Sequence, residues 1–236
     1  MADILLIHGS CHGAWCWRDV VPALQARGHA ARAITLPGHD GVRDPATVTL
    51  EETAEAVLAA ATPDTIVLGH SWGGFPVSAA AETGPDRLRG LIFLCAYLPV
   101  SGLSLIGMRK AGPAQTLTGA TAKNAAGTSY SFVPETAPEL FYHDCPEEAV
   151  RIALENLCPQ PIRPQETPIR LSERFESVPK AYIRCTADRV IPPEYQAQMA
   201  SRLPPQRVFE MNTSHSPFFA DPEGLAGLIG QIAKDF

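Results

Sequence analysis

Short apolar runs alternate along most of the chain with segments whose apolar residues recur every three or four positions. Ile4–Ile7, Ala30–Thr35, Thr65–Leu68, Leu88–Cys95, Lys180–Cys185 and Arg207–Met211 are the short runs, and several are almost free of polar interruption. Such runs predict strands covered on both faces, as in a parallel sheet. Between them, Trp17–Arg27 sets Val20, Val21 and Leu24 on one side of a helix. Leu50–Ala61 repeats Leu50, Ala54, Val57, Leu58 and Ala61 at helical spacing, with Thr49 and Glu52 placed as a capping box. The last helix opens on Asp221 and Pro222 and turns Leu225, Leu228, Ile229 and Ile232 inward. Strand and helix in alternation predict an α/β fold with a six-stranded, mostly parallel, doubly wound sheet.

The rhythm breaks from residue 99 to residue 178. Here Gln115–Ser131 is rich in Gly, Ser and Thr, prolines are frequent, and Pro146–Leu157 is the one strong helical pattern. The stretch is too long for an ordinary loop. Phe132, Leu140, Phe141, Tyr142, Ile152, Leu154 and Leu157 give it enough apolar surface to pack, which argues against a disordered linker. The expected division is a core of residues 1–98 and 179–236, with 99–178 inserted as a cap.

Gly69-His70-Ser71-Trp72-Gly73 follows the run Thr65–Leu68 directly. A buried strand that ends on a glycine-bracketed serine and passes at once into a helix forces a sharp turn with Ser71 at its apex. Five residues do not make a site, and a serine hydroxyl needs a base to become a nucleophile. The strand Lys180–Cys185 runs into Asp188, and Arg207–Met211 runs into His215. In open α/β sheets such loops converge at the carboxyl ends of the strands. Ser71 is therefore the expected nucleophile, His215 the general base and Asp188 the orienting acid, with Glu194 and Asp144 as weaker alternatives for the acid. Trp72, directly after the serine, and Ser10, in the loop after the first strand, are the expected amide donors to an oxyanion. Gly9, Cys11 and His12 are expected to shape the pocket. His8 and His70 are read as loop braces, and His29, His39 and His143 as packing or surface residues.

The run His8-Gly9-Ser10-Cys11-His12-Gly13-Ala14-Trp15-Cys16-Trp17 resembles the plant methylesterase and hydroxynitrile lyase family of α/β-hydrolases, which includes methyl salicylate esterases and polyneuridine aldehyde esterase. The likeness continues through Leu36-Pro37-Gly38-His39, Gly69–Gly74, Phe141-Tyr142-His143-Asp144-Cys145 and Ser177–Ile183, and reaches His215. It implies the α/β-hydrolase fold, a cap, the triad Ser71, Asp188 and His215, and an oxyanion hole from Ser10 and Trp72. The family's lyases carry a threonine where this chain has Gly9, and a lysine beside the catalytic histidine where this chain has Ser216 and Pro217. A cyanide leaving group without a counter-charge is poorly stabilised in an apolar pocket. The resemblance therefore implies a serine carboxylesterase for small apolar or aromatic esters. Cyanohydrin cleavage is the alternative, and a non-catalytic small-ligand receptor a third. The small-residue stretch Gln115–Ser131 and the run Pro217-Phe218-Phe219 depart from the plant pattern, and the Ala- and Arg-rich composition points to a bacterial member.

Composition narrows the partners. The 236 residues carry a net charge of −6 with histidines neutral, and no basic run, which argues against nucleic acid or an anionic membrane. No targeting pattern precedes the first strand, and no apolar stretch reaches spanning length, so a cytoplasmic protein is expected. The six cysteines lie far apart without a C-x-x-C pair, so reduced packing thiols are expected and zinc is not. The chemistry needs no cofactor, a small ester is the expected partner, and a homodimer is an open possibility.

Overall fold

A computed structural model describes residues 1–236. Nine strands occur in chain order: β1 (Asp3–Ile7), β2 (Ala30–Ile34), β3 (Thr65–His70), β4 (Gly90–Leu94), β5 (Thr121–Lys123), β6 (Ser129–Phe132), β7 (Gln160–Pro161), β8 (Lys180–Cys185) and β9 (Val208–Met211). Six of them form one parallel sheet in the order β2-β1-β3-β4-β8-β9. Every residue of β3 and β4 is buried, as their uninterrupted apolar runs require. The edge strands β2 and β9 are only partly covered, and it is there that Arg32 and Glu210 interrupt the sequence.

The chain leaves β1 for β2 on one side, then returns across β1 to β3 and continues outward the other way. Right-handed crossovers in opposite directions put their helices on opposite faces. Helix Val20–Ala26 packs with the last helix, Pro222–Ile232, and Leu50–Ala60 packs with Gly74–Thr83. The reversal between β1 and β3 opens a crevice at their carboxyl ends. Ile7 lies opposite Gly69, while Leu94 lies opposite both His70 and Ile183. The central strands therefore end nearly flush, and the loops that follow them meet over one rim.

Local signals set several boundaries. Thr49 Oγ1 accepts from the Glu52 amide at 3.1 Å and Glu52 Oε2 accepts from the Thr49 amide at 3.0 Å, closing the capping box. Asp221 Oδ1 caps the last helix through the Gly224 amide at 2.9 Å. The segment expected as one helix over Trp17–Arg27 is instead a 3-10 turn, Ala14–Trp17, followed by helix Val20–Ala26. No helix is long and apolar enough to cross a membrane.

Residues 99–178 leave the main sheet after β4 and rejoin it at β8. They contain short helices, including Leu105–Ala111, Ala137–Phe141, Glu147–Asn156 and Arg163–Glu166, and the antiparallel sheet β5-β6-β7. Leu105, Phe132 and Phe141 join the same continuous core as the sheet residues. The segment thus packs down on the rim of the main sheet. All six cysteines are free thiols, four of them buried.

Candidate active site

At the end of β3 the backbone of Ser71 takes φ +55°, a left-handed conformation that costs a non-glycine residue about 1–3 kcal/mol. A 3-10 turn, Ser71–Gly73, then feeds helix Gly74–Thr83. Contacts with the loop after β4 hold the strained turn. The Tyr97 amide donates to the Ser71 carbonyl at 3.1 Å, and a Cβ at Gly74 would lie 2.1 Å from the Tyr97 carbonyl oxygen. Only glycine permits that approach. The other two non-glycine residues with positive φ, Cys11 and Cys95, also stand just beyond the carboxyl ends of strands, β1 and β4. Backbone strain is therefore concentrated at one rim of the sheet.

Three side chains from distant loops meet there in a line. The Ser71 hydroxyl donates to His215 Nε2 at 2.9 Å, and His215 Nδ1 donates to Asp188 Oδ2 at 2.7 Å. Because the carboxylate takes the Nδ1 proton, Nε2 is left as an acceptor facing the hydroxyl. Asp188 is buried but fully hydrogen-bonded. Its Oδ1 accepts from the amides of Val190 and Ile191 at 2.7 and 3.0 Å, and Oδ2 also accepts from Gln196 Nε2 at 2.8 Å. The His215 backbone is clamped as well. Its carbonyl accepts from His70 Nε2 at 2.8 Å, and the preceding Ser214 amide donates to Asp144 Oδ2 at 2.6 Å. Asp144 thus meets the histidine loop through its backbone, and Glu194 is exposed on helix Pro193–Ala200. Neither competes with Asp188 for the imidazole.

Ser71 and His215 open onto a narrow, mainly apolar cavity. Ser10, His12 and His70 line it from the sheet side, together with Tyr97 and Ile191. Leu105, Arg109, Leu117, Tyr130, Phe132 and Phe141 come from the inserted segment. That segment also braces the loop after β1. Gln165 Nε2 donates to Ser10 Oγ at 2.8 Å and Tyr130 OH donates to Gln165 Oε1 at 3.1 Å. His12 Nδ1 donates to the Ser10 carbonyl at 2.7 Å, and its Nε2 accepts from Tyr142 OH at 2.8 Å.

Of the three residues expected to shape the pocket, His12 lines it and Cys11 does not. The Cys11 thiol is fully buried behind the wall, directed at the Tyr130 carbonyl 3.7 Å away. Gly9 acts by what it lacks, since a Cβ there would come within 2.7 Å of His70 Nδ1 and 2.9 Å of Ser71 Cβ. Sequence reasoning missed Gln165, Gln196 and Arg109. Each lies in a stretch without a motif, and only the tertiary fold reveals its partner. His8 joins two loops, donating from Nδ1 to the Gly9 carbonyl at 2.8 Å and accepting from the Leu36 amide at 3.0 Å. His39 is buried and bonded to Gln160 Oε1 at 2.9 Å.

Burial has a measurable consequence in these imidazoles. It pulls the affinity of His8 and His70 for a proton well below that of a free histidine, lowers His39, and holds His12 down at about 4. The unfolded chain takes these protons near pH 6.5 and the native state does not, so acid favours unfolding. Stability should be flat between about pH 7 and 8, fall from about 6.5 towards 4, and fall again at alkaline pH, where the unfolded chain ionises thiols that burial keeps protonated in Cys11, Cys16 and Cys95. Each such histidine steepens the decline by about 1.4 kcal/mol per pH unit. Urea unfolding across this range checks it: a His12→Gln variant should show a shallower decline, and a pH-independent midpoint in the parent would refute the expectation.

His70, Cys95 and His215 bring ligand-type atoms within 4.8 Å of one another. Their donors are turned inward, however. His70 Nε2 and the Cys95 thiol both point to the His215 carbonyl, at 2.8 and 3.6 Å, and His215 is engaged by Asp188 and Ser71. The cluster is a brace for the imidazole loop.

Comparison with known proteins identifies the family. The family model for the alpha/beta hydrolase family matches residues 4–228. A pyrethroid hydrolase from Sphingobium wenxiniae is 34% identical, over 99% of this chain and 88% of its own. Methylesterase 1 of Arabidopsis thaliana is 31% identical over 98% of this chain and 96% of its own. The crystal structure of a pyrethroid hydrolase from Sphingobium faniae is similar with a TM-score of 0.88 at 31% identity, covering 99% of this chain and 97% of that one. On these matches, spanning nearly the whole sequence, the chain belongs to the α/β hydrolase family and is an ester hydrolase.

Proposed function

We propose that the protein is a serine carboxylesterase that hydrolyses small apolar or aromatic esters through an acyl-enzyme. The observation that carries this reading is the hydrogen-bonded line Ser71–His215–Asp188 opening into an apolar-walled cavity. His215 Nε2 takes the hydroxyl proton as Ser71 Oγ attacks the ester carbonyl, and Asp188 holds the tautomer and stabilises the imidazolium. The oxyanion forms towards the amides of Ser10 and Trp72. Trp72 lies in the first turn of its helix, where amides lack intrahelical acceptors. The Ser10 amide donates to no protein acceptor, while its side chain and carbonyl are pinned by Gln165 and His12. His215 then protonates the leaving alcohol, and water, deprotonated by the same imidazole, releases the acid from Ser71.

Residues 99–178 act in this reading as a cap, supplying the wall that separates the acyl group from bulk water. The apolar wall made by Leu105, Leu117, Phe132 and Phe141 favours apolar acyl and alcohol groups. The names of the relatives, a methylesterase and pyrethroid hydrolases, suggest that simple alkyl esters and bulkier aromatic ones are both worth assaying. Cyanohydrin cleavage is disfavoured because Gly9 offers no hydroxyl and Ser216 and Pro217 offer no cation beside His215. A panel of methyl and aryl esters, run beside mandelonitrile, tests the assignment. Acid should be released from the esters with no benzaldehyde from mandelonitrile; the reverse result would overturn it.

A further inference from the structure

Arg109 is the one formally charged side chain besides the histidines in the cavity wall, and nothing neutralises it. It extends from helix Leu105–Ala111 and is half-buried, yet its guanidinium makes no ion pair and no hydrogen bond within the protein. It also lines a second, polar groove with Gln115, Leu117, Thr118, Gly119 and Thr121, and Leu117 too is common to both spaces. Arg109 therefore stands between the apolar cavity over Ser71 and an outer polar groove. No aspartate or glutamate lines either space. Its charge is felt inside, for it opposes the effect of burial on the hydroxyls of Tyr97 and Tyr130 across the cavity wall.

A guanidinium presents paired N–H donors that match a carboxylate, and it holds its charge at any working pH. We propose that Arg109 is a specificity-determining residue that selects esters carrying a carboxylate at the end remote from the scissile bond, such as half-esters of dicarboxylic acids. The apolar wall takes the body of such a molecule, Ser71 takes its ester carbonyl, and Arg109 takes the free carboxylate at the cavity's edge. This rests on the serine esterase reading and narrows its substrate class.

The test compares monomethyl terephthalate with methyl 4-methylbenzoate, which match in shape and differ in the remote charge. Wild-type kcat/KM should favour the carboxylated ester, and the preference should shrink in 0.5 M NaCl, because a half-exposed pair is screened. Arg109→Gln should lower the selectivity ratio by about 10–100-fold, the range for hydrogen bonds to a charged group, and Arg109→Lys should restore part of it. Fluorophosphonate labelling of Ser71 in each variant confirms that the site is still assembled. If Arg109→Gln does not label, Arg109→Lys and the salt dependence of the wild type decide. A ratio indifferent to both residue 109 and salt would overturn the assignment of Arg109 and leave the esterase reading standing. Failure of the wild type to cleave either ester while it hydrolyses others of the panel would overturn the Arg109 assignment alone, and failure on every ester would remove both.

Discussion

Replacing Ser71 by alanine should lower ester turnover by about 10⁶-fold while leaving the protein folded. The magnitude follows from how the site is wired. The hydroxyl is the only group in line with His215 Nε2, at 2.9 Å, and no other serine or cysteine donates to that nitrogen. Removing the nucleophile of such a unit costs about as much as removing all of its members, and what remains is the contribution of oxyanion donors and binding. The fold should tolerate the change because the contacts that hold residue 71 in its strained conformation are made by backbone. The Tyr97 amide still reaches its carbonyl, and the close approach at Gly74 is untouched. Steady-state kinetics beside thermal unfolding separates the two effects. A variant that keeps more than about a hundredth of the activity would place the nucleophile elsewhere.

Asp188→Asn should cost about 10⁴-fold in kcat, the loss expected when the imidazole is held in the wrong tautomer. Both carboxylate oxygens of Asp188 accept from two donors each: the Val190 and Ile191 amides on Oδ1, and His215 Nδ1 and Gln196 Nε2 on Oδ2. An asparagine can turn its oxygen to only one side. Two backbone amides cannot rotate away, so the oxygen stays with Val190 and Ile191, and the new NH₂ group faces His215. The imidazole must then accept at Nδ1 and carry its proton on Nε2, where it can no longer take one from Ser71. Gln196 loses its acceptor as well, although its bond to the Ile191 carbonyl at 2.8 Å survives. A loss below about tenfold would mean that another group, such as Asp144, orients the ring.

Much of the frame is legible in the sequence because buried parallel strands leave a pattern that neighbours cannot mask. The runs at Ile4–Ile7, Thr65–Leu68 and Lys180–Cys185 coincide with strands, and residues just past their ends are the ones the fold gathers. The inserted segment is less legible. Its small sheet pairs three residues of β5 with β6, and β6 with only two of β7, too few for periodicity to register. A local signal did exist. Asn124 Oδ1 accepts from the amides of Thr128 and Ser129, at 2.9 and 3.2 Å, and Gly127 takes φ +69°. An Asn and a Gly between alternating residues mark a hairpin. Gln165, by contrast, has no such mark. It sits beside Pro164 in a four-residue helix, and its link to Ser10 joins residues 155 positions apart. Arg109 reads in sequence as one more surface cation, and only the cavity shows that it is unpaired where a substrate would enter.

Ester hydrolysis here depends on the activation of one hydroxyl by one imidazole. Intact-mass analysis after treatment with a fluorophosphonate measures that directly. One equivalent of reagent should attach to the wild-type protein and map to Ser71. Ser71→Ala should take up none, and His215→Ala should react far more slowly. An unmodified wild type, or a Ser71→Ala protein labelled as readily as the parent, would contradict it.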